Sequence, residues 1–442
     1  MGKCSNYFFV NEYQEYENNF SPDLVKQMIY SEICSLKKNK IKFKVVGILV
    51  YGNTFIVIFP KGYKMPTDEI SKKKHTYFLI QTLLKYKREN DLDLEEAMLL
   101  GNDDGENDEN LHTAIQLITD FIQNGIINKS VTIKSSDFRN IDWPVTINKK
   151  HPVFTNDSVL YSDTVSSRNI NDRQHLLLQL HSYCVYKSMD KYGWLFNLTT
   201  EDIYLNKQEI PCDISFAINF LMNEMNTTFV ERELKVIRLI KEFLIGIDFE
   251  DTKDKIDFLV TPHFHYVWEV MCSTNFNNQY KTLKSIIPKL NWDIDTSAMV
   301  QAQRPDIMFL REEKLYILDA KYYDVDFNLP GWKDVVKQLF YALTIIKNIE
   351  SDRLVLSDKL LEADLKRLDG VENLFLFPSG DSAPVKKIGK VRIEGNDDLN
   401  DISAYKVNTL LIMKCYLGLE KYDFTNELIQ LQTQNLVDLT IS

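Results

Sequence analysis

The sequence predicts an α/β protein whose C-terminal part, 251–442, is a short mixed β-sheet flanked by helices. Three observations carry this. Two short apolar runs flank a charged turn between Arg304 and Lys321, a second and wholly apolar hairpin pattern occupies 45–59, and long amphipathic stretches fill the middle of the chain. The expected order is an N-terminal α+β module (1–100), an acidic linker (101–110), a mostly helical middle region (111–250) and the C-terminal domain (251–442).

From the N-terminus, 23–37 reads as a helix followed by a basic run, 37–44. Val45–Tyr51 and Thr54–Phe59 around Gly52-Asn53 form a hairpin pattern, and their nearly unbroken apolar character predicts cover on both faces. A helix is expected over 76–90. Residues 101–110 contain no apolar side chain and read as a linker. Leu111, Ile115, Leu117, Ile118, Phe121 and Ile122 define a helix closed by Gly125, and extended segments are expected at 141–147 and 152–154. Helices follow near 172–189, 213–226 and 228–246. His181 and Cys184 lie three apart on the first of these; with no second half of a zinc site, packing is the expected role.

From Thr261 the signal sharpens. Thr261-Pro262 reads as a helix N-cap and first turn, with Phe264, Val267, Trp268 and Met271 on the buried face and Glu269 beside it. His263 and His265 point different ways and make a poor metal pair. Gly331–Lys347 is an amphipathic helix with Trp332, Val335, Val336, Leu339, Leu343 and Ile346 as its apolar stripe, and Asp334, Gln338 and Tyr341 on an adjoining face. Strands at 373–377 and 386–393 and a helix near 402–417 complete the domain.

Composition narrows the class. A chain of 442 residues that is 44% hydrophobic and 12% aromatic has enough apolar material for several globular cores. The net charge of −11 argues against indiscriminate coating of nucleic acid, but charge is unevenly placed: 1–90 hold fifteen Lys/Arg against eight Asp/Glu, and 91–110 hold nine acids and no base. Six scattered cysteines without a Cys-x-x-Cys pair, together with no signal-peptide layout, suit a reducing cytoplasm. The longest apolar stretch is interrupted by glycines and polar residues, so no membrane span is expected.

The chemistry sits in the hairpin. Side chains alternate along a strand, so Leu315, Ile317, Asp319 and Lys321 share one face. An acid and a lysine project together from one strand end, and simple register brings Asp306 opposite them. Two carboxylates and an ammonium at one point suit a hard divalent cation bridging protein and phosphate.

Pro305-Asp306, twelve residues, then Asp319-Ala320-Lys321 resembles the signature of the PD-(D/E)XK nuclease superfamily. With Trp268-Glu269, Arg304-Pro305-Asp306 and Asp334-x-x-Lys337-Gln338-Leu339-Phe340-Tyr341, the chain resembles the nuclease subunits of LlaJI-type restriction systems, relatives of McrC. The phrases 46–63 and 141–147 extend the likeness, which is most specific in 261–345. The resemblance implies Asp306 and Asp319 as Mg²⁺ ligands (Mn²⁺ substituting), the Ala320 carbonyl as a third oxygen, Lys321 as the catalytic lysine, Glu269 as an additional acid and metal ligand, and Gln338 as an orienting residue. Many relatives place an aromatic four residues after that glutamine. Here Ala342 stands there and Tyr341 comes one residue early.

The implied activity is Mg²⁺-dependent hydrolysis of double-stranded DNA in a phage-defence system. The implied partners are a McrB-like AAA+ GTPase and an associated DNA methyltransferase. The chain has no G-x-x-x-x-G-K-[ST] motif, so nucleotide dependence would come from a partner. Two other readings are a stand-alone restriction or repair nuclease and an inactive DNA-binding or assembly subunit; the intact Asp, Asp and Lys set argues against the latter. A fragment starting near residue 111 is expected to keep the metal site and lose coupling to the GTPase.

Overall fold

A computed structural model describes residues 6–101, 110–135, 141–172, 174–202, 209–249, 255–290, 303–351, 359–395 and 400–440. The chain divides into two compact units, one of Met1–Asn102 with Lys255–Ser442 and one of Asp103–Asp254. The acidic segment 102–109 lies outside the described residues.

In the first unit, strands β1 (Asn6–Asn11), β2 (Val46–Tyr51), β3 (Thr54–Phe59) and β4 (Ile256–Thr261) form a sheet in the order β1-β3-β2-β4. The apolar 45–59 hairpin is its centre, buried on both faces as its composition predicts: Ile48, Leu49, Phe55, Ile56, Val57 and Ile58 are all buried. Gly47 lies where β4 crosses it. At φ +143° a Cβ there would meet the Leu259 carbonyl oxygen at 2.1 Å, so only glycine admits this pairing.

That pairing redraws the expected domains. Residues 1–100 and 251–442 do not separate into two modules, because β4 adds to the N-terminal sheet, matching Ile256 to Tyr51 and Thr261 to Val46. Gly62, at φ +67°, sits against the Pro378 backbone. The Tyr322 hydroxyl accepts from Lys61 N at 2.8 Å and donates to Glu12 Oε2 at 2.6 Å. Val10, Leu49, Ile56 and Ile58 from one side of the middle region pack in one cluster with Ile256 and Val260 from the other.

Glu12 is buried, and burial first, offset in part by the Tyr322 hydrogen bond and Lys61, pushes its carboxyl up to about 7. The folded state therefore holds that proton more tightly than the unfolded chain. Its contribution is fully present below the unfolded value near 4.5 and is lost as pH climbs through about 7. Glu12→Gln keeps an acceptor for Tyr322 without the charge. It is expected to melt higher than the parent at pH 8, by roughly 2–3 kcal/mol, and to differ little at pH 4; equal melting at both pH values would contradict this.

The second sheet holds β5 (Ile307–Arg311), β6 (Lys314–Ala320), β7 (Gly370–Ser379), β8 (Val385–Val391) and β9 (Ile402–Asn408), ordered β5-β6-β7-β9-β8. It is mixed: β6, β7 and β9 run parallel, with antiparallel β5 and β8 at the edges. Helices α1 (Glu69–Glu89), α2 (Phe264–Asn275), α3 (Trp332–Ile349) and α4 (Thr409–Tyr416) belong to the same unit.

Several expectations change. The helix expected at 23–37 ends at Tyr30. Cys34–Lys37 and Lys40–Phe43 then form a hairpin, its turn at Lys38 and Asn39 left-handed at φ 49° and 62°. Period-two burial of Ile41 and Phe43 between lysines outweighs the helical reading. Residues 402–408 are a strand before a shorter helix.

Thr261 closes β4 instead of capping a helix; its hydroxyl donates to Glu96 Oε1 at 2.7 Å and accepts from His263 N at 3.0 Å. On α3 the buried face is Val335, Gln338, Leu339, Tyr341, Ala342 and Ile345, while Trp332 is 70% exposed. The helix is rotated from the expected stripe, because Gln338 finds backbone and amide partners beneath it.

In the second unit, helices Asn110–Asn124, Leu176–Tyr192, Ile214–Thr227 and Glu231–Phe249 form the expected helical assembly, with strands Ser130–Ser135 and Ser166–Asn171 paired antiparallel. Arg232 binds both Asp120 oxygens at 3.1 and 2.9 Å. The segment expected to extend over 141–147 is instead a helix, Trp143–Lys149, capped by Asp142 on Val145 N with Pro144 in its first turn. His181 accepts from Ile127 N at 3.2 Å, and burial lowers its pKa to about 4, so with buried Cys184 it serves packing.

Candidate active site

The site begins with hairpin geometry. β5 and β6 match Ile307 to Leu318 and Arg311 to Lys314 across a two-residue turn, Glu312-Glu313. Both glutamates are left-handed, at φ 51° and 59°, the conformation that a tight antiparallel turn needs. One step beyond this register, Asp306 faces Asp319, and Ala320 N donates to Asp306 Oδ2 at 2.9 Å. The strand face expected for Asp319 and Lys321 is therefore the face on which they meet.

Asp319 is 2% exposed. Burial first, then the Asp319 and Glu269 carboxylates, hold the Asp306 carboxyl well above the usual carboxylate range, with the Ala320 N–H opposing. Lys321 Nζ lies 2.7 Å from Asp319 Oδ2 and 2.8 Å from Asp334 Oδ1. Burial disfavours the charge on Lys321, but those two carboxylates outweigh it and keep the group an ammonium. Asp334 stands in the first turn of α3. Burial would raise its pKa, yet the Lys321 hydrogen bond holds it low, and its second oxygen accepts from Tyr323 OH at 3.3 Å.

Glu269 comes from α2. Burial and then Asp319 raise its pKa, against Lys321, Lys337 and Arg304, which places it in the same electrostatic cluster. Gln338 is buried under the sheet, where its Nε2 donates to Ile317 O at 2.8 Å and to Asn373 Oδ1 at 3.4 Å. It fixes α3 on β6 through the first of these bonds. Sequence reasoning placed Asp334 beside Gln338 and Tyr341 without giving it a role; its spacing of four from Gln338, one helical turn, was the available signal. Nothing in the sequence pointed to the Glu12–Tyr322 contact, which joins residues 310 apart.

A family model for the LlaJI restriction endonuclease matches residues 45–407. The chain belongs to the LlaJI restriction endonuclease family. Component YdjA of the Bacillus subtilis (strain 168) type II restriction enzyme BsuMI is 28% identical over 464 residues, covering 97% of this chain and 92% of the relative. Among solved structures, a chain of the half-complex from a tetradecameric assembly of Thermococcus gammatolerans McrB AAA+ hexamers with bound McrC is 13% identical. That likeness has a TM-score of 0.40 over 93% of this chain and 99% of that one. A chain of the Thermococcus gammatolerans McrBC complex is 12% identical at a TM-score of 0.26, over 57% and 89% respectively.

The family's matched region contains Glu269, Asp306, Asp319, Lys321, Asp334 and Gln338. Among the described residues no group of three or more His, Cys, Asp or Glu side chains is placed to hold a metal ion. The donor set nevertheless fits a hard cation. Buried Asp319 and half-buried Asp306 face each other, the latter held by a backbone N–H; burial first and then the Asp319 charge raise the Asp306 carboxyl, and a divalent cation would relieve the second of these. An open two-carboxylate site is also how Mg²⁺ is usually held, with water and phosphate filling the remaining positions. No described helix is long and apolar enough to cross a membrane.

Proposed function

We propose that this chain is the nuclease subunit of a restriction system, hydrolysing phosphodiester bonds of double-stranded DNA with Mg²⁺ at a PD-(D/E)XK-type core. The observation that carries the reading is the register of β5 on β6. It sets Asp306 against Asp319, with Lys321 two residues on, in a chain of the LlaJI restriction endonuclease family.

Asp306, Asp319 and the Ala320 carbonyl would hold the cation, with Glu269 as a further carboxylate at the rim. Bound there, Mg²⁺ supplies charge stabilisation at the phosphate and a bound water of lowered pKa. Lys321, which its two carboxylates favour as an ammonium, would meet the developing negative charge of the phosphate. Ala320 N–H fixes the Asp306 rotamer. Gln338 fixes α3, and so Asp334, relative to β6.

The family likeness extends the reading to a McrB-like AAA+ GTPase partner and an associated DNA methyltransferase, with the proteins acting in the cytoplasm. The Bacillus relative is itself named a component of a type II restriction enzyme, which suits a multi-subunit system.

The test is cleavage of duplex DNA by the purified chain with Mg²⁺, Mn²⁺ or Zn²⁺, alone and with the neighbouring GTPase and GTP. Oxygen ligands predict activity with Mg²⁺ or Mn²⁺ and none with Zn²⁺. Activity only with zinc, or none under any combination, would contradict the reading. Full activity without a GTPase would keep the chemistry and remove the partner.

A further inference from the structure

Lys321 is shared between two acids, and the second of them has no task in the chemistry described so far. Its ammonium has three donors. Its nitrogen lies 2.7 Å from Oδ2 of Asp319, the proposed cation ligand, and 2.8 Å from Oδ1 of Asp334. The three side chains are 14%, 3% and 22% exposed in the order Lys321, Asp319, Asp334, so solvent screens them little. An ammonium and a divalent cation drawing on one buried carboxylate would repel each other at close range. A second carboxylate on the ammonium offsets that conflict.

We propose that Asp334 is a positioning residue that retains the Lys321 ammonium when Asp319 engages the divalent cation. This rests on the nuclease reading of the site. The placement agrees with it. Asp334 sits in the first turn of an eighteen-residue helix, where the macrodipole favours a carboxylate, and Tyr323 OH steadies its other oxygen at 3.3 Å. An exposed ion pair would matter little, but here the ammonium is half-buried and its other partner is the acid that the cation needs.

The test is the Mn²⁺ affinity of the full chain, read by calorimetry or by loss of the free-ion paramagnetic signal, with no DNA present. Four proteins are compared: the parent, Asp334→Asn, Lys321→Met and the double variant. Asp334→Asn is expected to weaken Mn²⁺ binding on the order of tenfold, because Lys321 then has Asp319 alone. In the Lys321→Met background the same change is expected to cost far less, and Asp334→Glu should restore the parent affinity. An equal loss in both backgrounds would show that Asp334 acts as a distant charge only, and would overturn the proposal, as would no loss at all. A parent protein with no saturable Mn²⁺ site would instead overturn the metal reading beneath it.

Discussion

Asp319→Ala is expected to lower DNA cleavage by roughly a thousandfold or more while leaving the fold intact. Asp306→Ala and Lys321→Ala should fall with it. The reason the fold survives is electrostatic. Asp319 is a buried carboxylate opposed to Asp306, so removing it relieves Asp306, and Lys321, though it loses one partner, keeps Asp334. Melting temperature and cleavage rate should therefore separate: activity lost, stability equal or slightly higher. Cleavage at the parent rate by the Asp319 variant would remove the site assignment. Loss of activity together with a collapse in melting temperature would show Asp319 to be structural.

The second large effect concerns the N-terminal hundred residues. Read from sequence, they form a module whose removal spares the metal site. The structure leads to the opposite expectation. A fragment beginning at residue 111 loses β1, β2 and β3, leaving β4 without the strand it pairs with and Leu259 and Val260 uncovered. It also loses the Glu12 and Lys61 contacts that hold Tyr322, the neighbour of Lys321. Each large apolar side chain returned to water costs about 1.5–3 kcal/mol, so a handful exceeds the whole stability of a typical domain. The fragment is expected to be insoluble or to lack a cooperative melt, and to bind no Mn²⁺. A cooperative transition near that of the full chain would show that the C-terminal part folds alone.

What the sequence made legible was local. The β5–β6 hairpin, its charged turn and the meeting of Asp306 with Asp319 follow from period-two alternation and a two-residue loop, both short-range properties. The 45–59 hairpin and the helix at 111–124 were legible for the same reason. What escaped was set by contacts distant in sequence. The pairing of β4 with β2 joins residues some two hundred apart, and nothing in 251–261 names its partner. The orientation of α3 turned on Gln338, a polar residue buried because Ile317 O and Asn373 lie beneath it, so a hydrophobic stripe pointed to the wrong face. Asp334 was visible as an acid beside Gln338, but its role depends on where Lys321 ends, which only the packed helix decides.

The central claim is that the Asp306–Asp319 pair is where a divalent cation sits. Mn²⁺ titration of the full chain against an Asp306→Asn, Asp319→Asn double variant tests it without requiring DNA, partner or turnover. The account predicts saturable binding in the parent and its loss in the double variant, with the melting temperature retained. Equal binding by both proteins would contradict it.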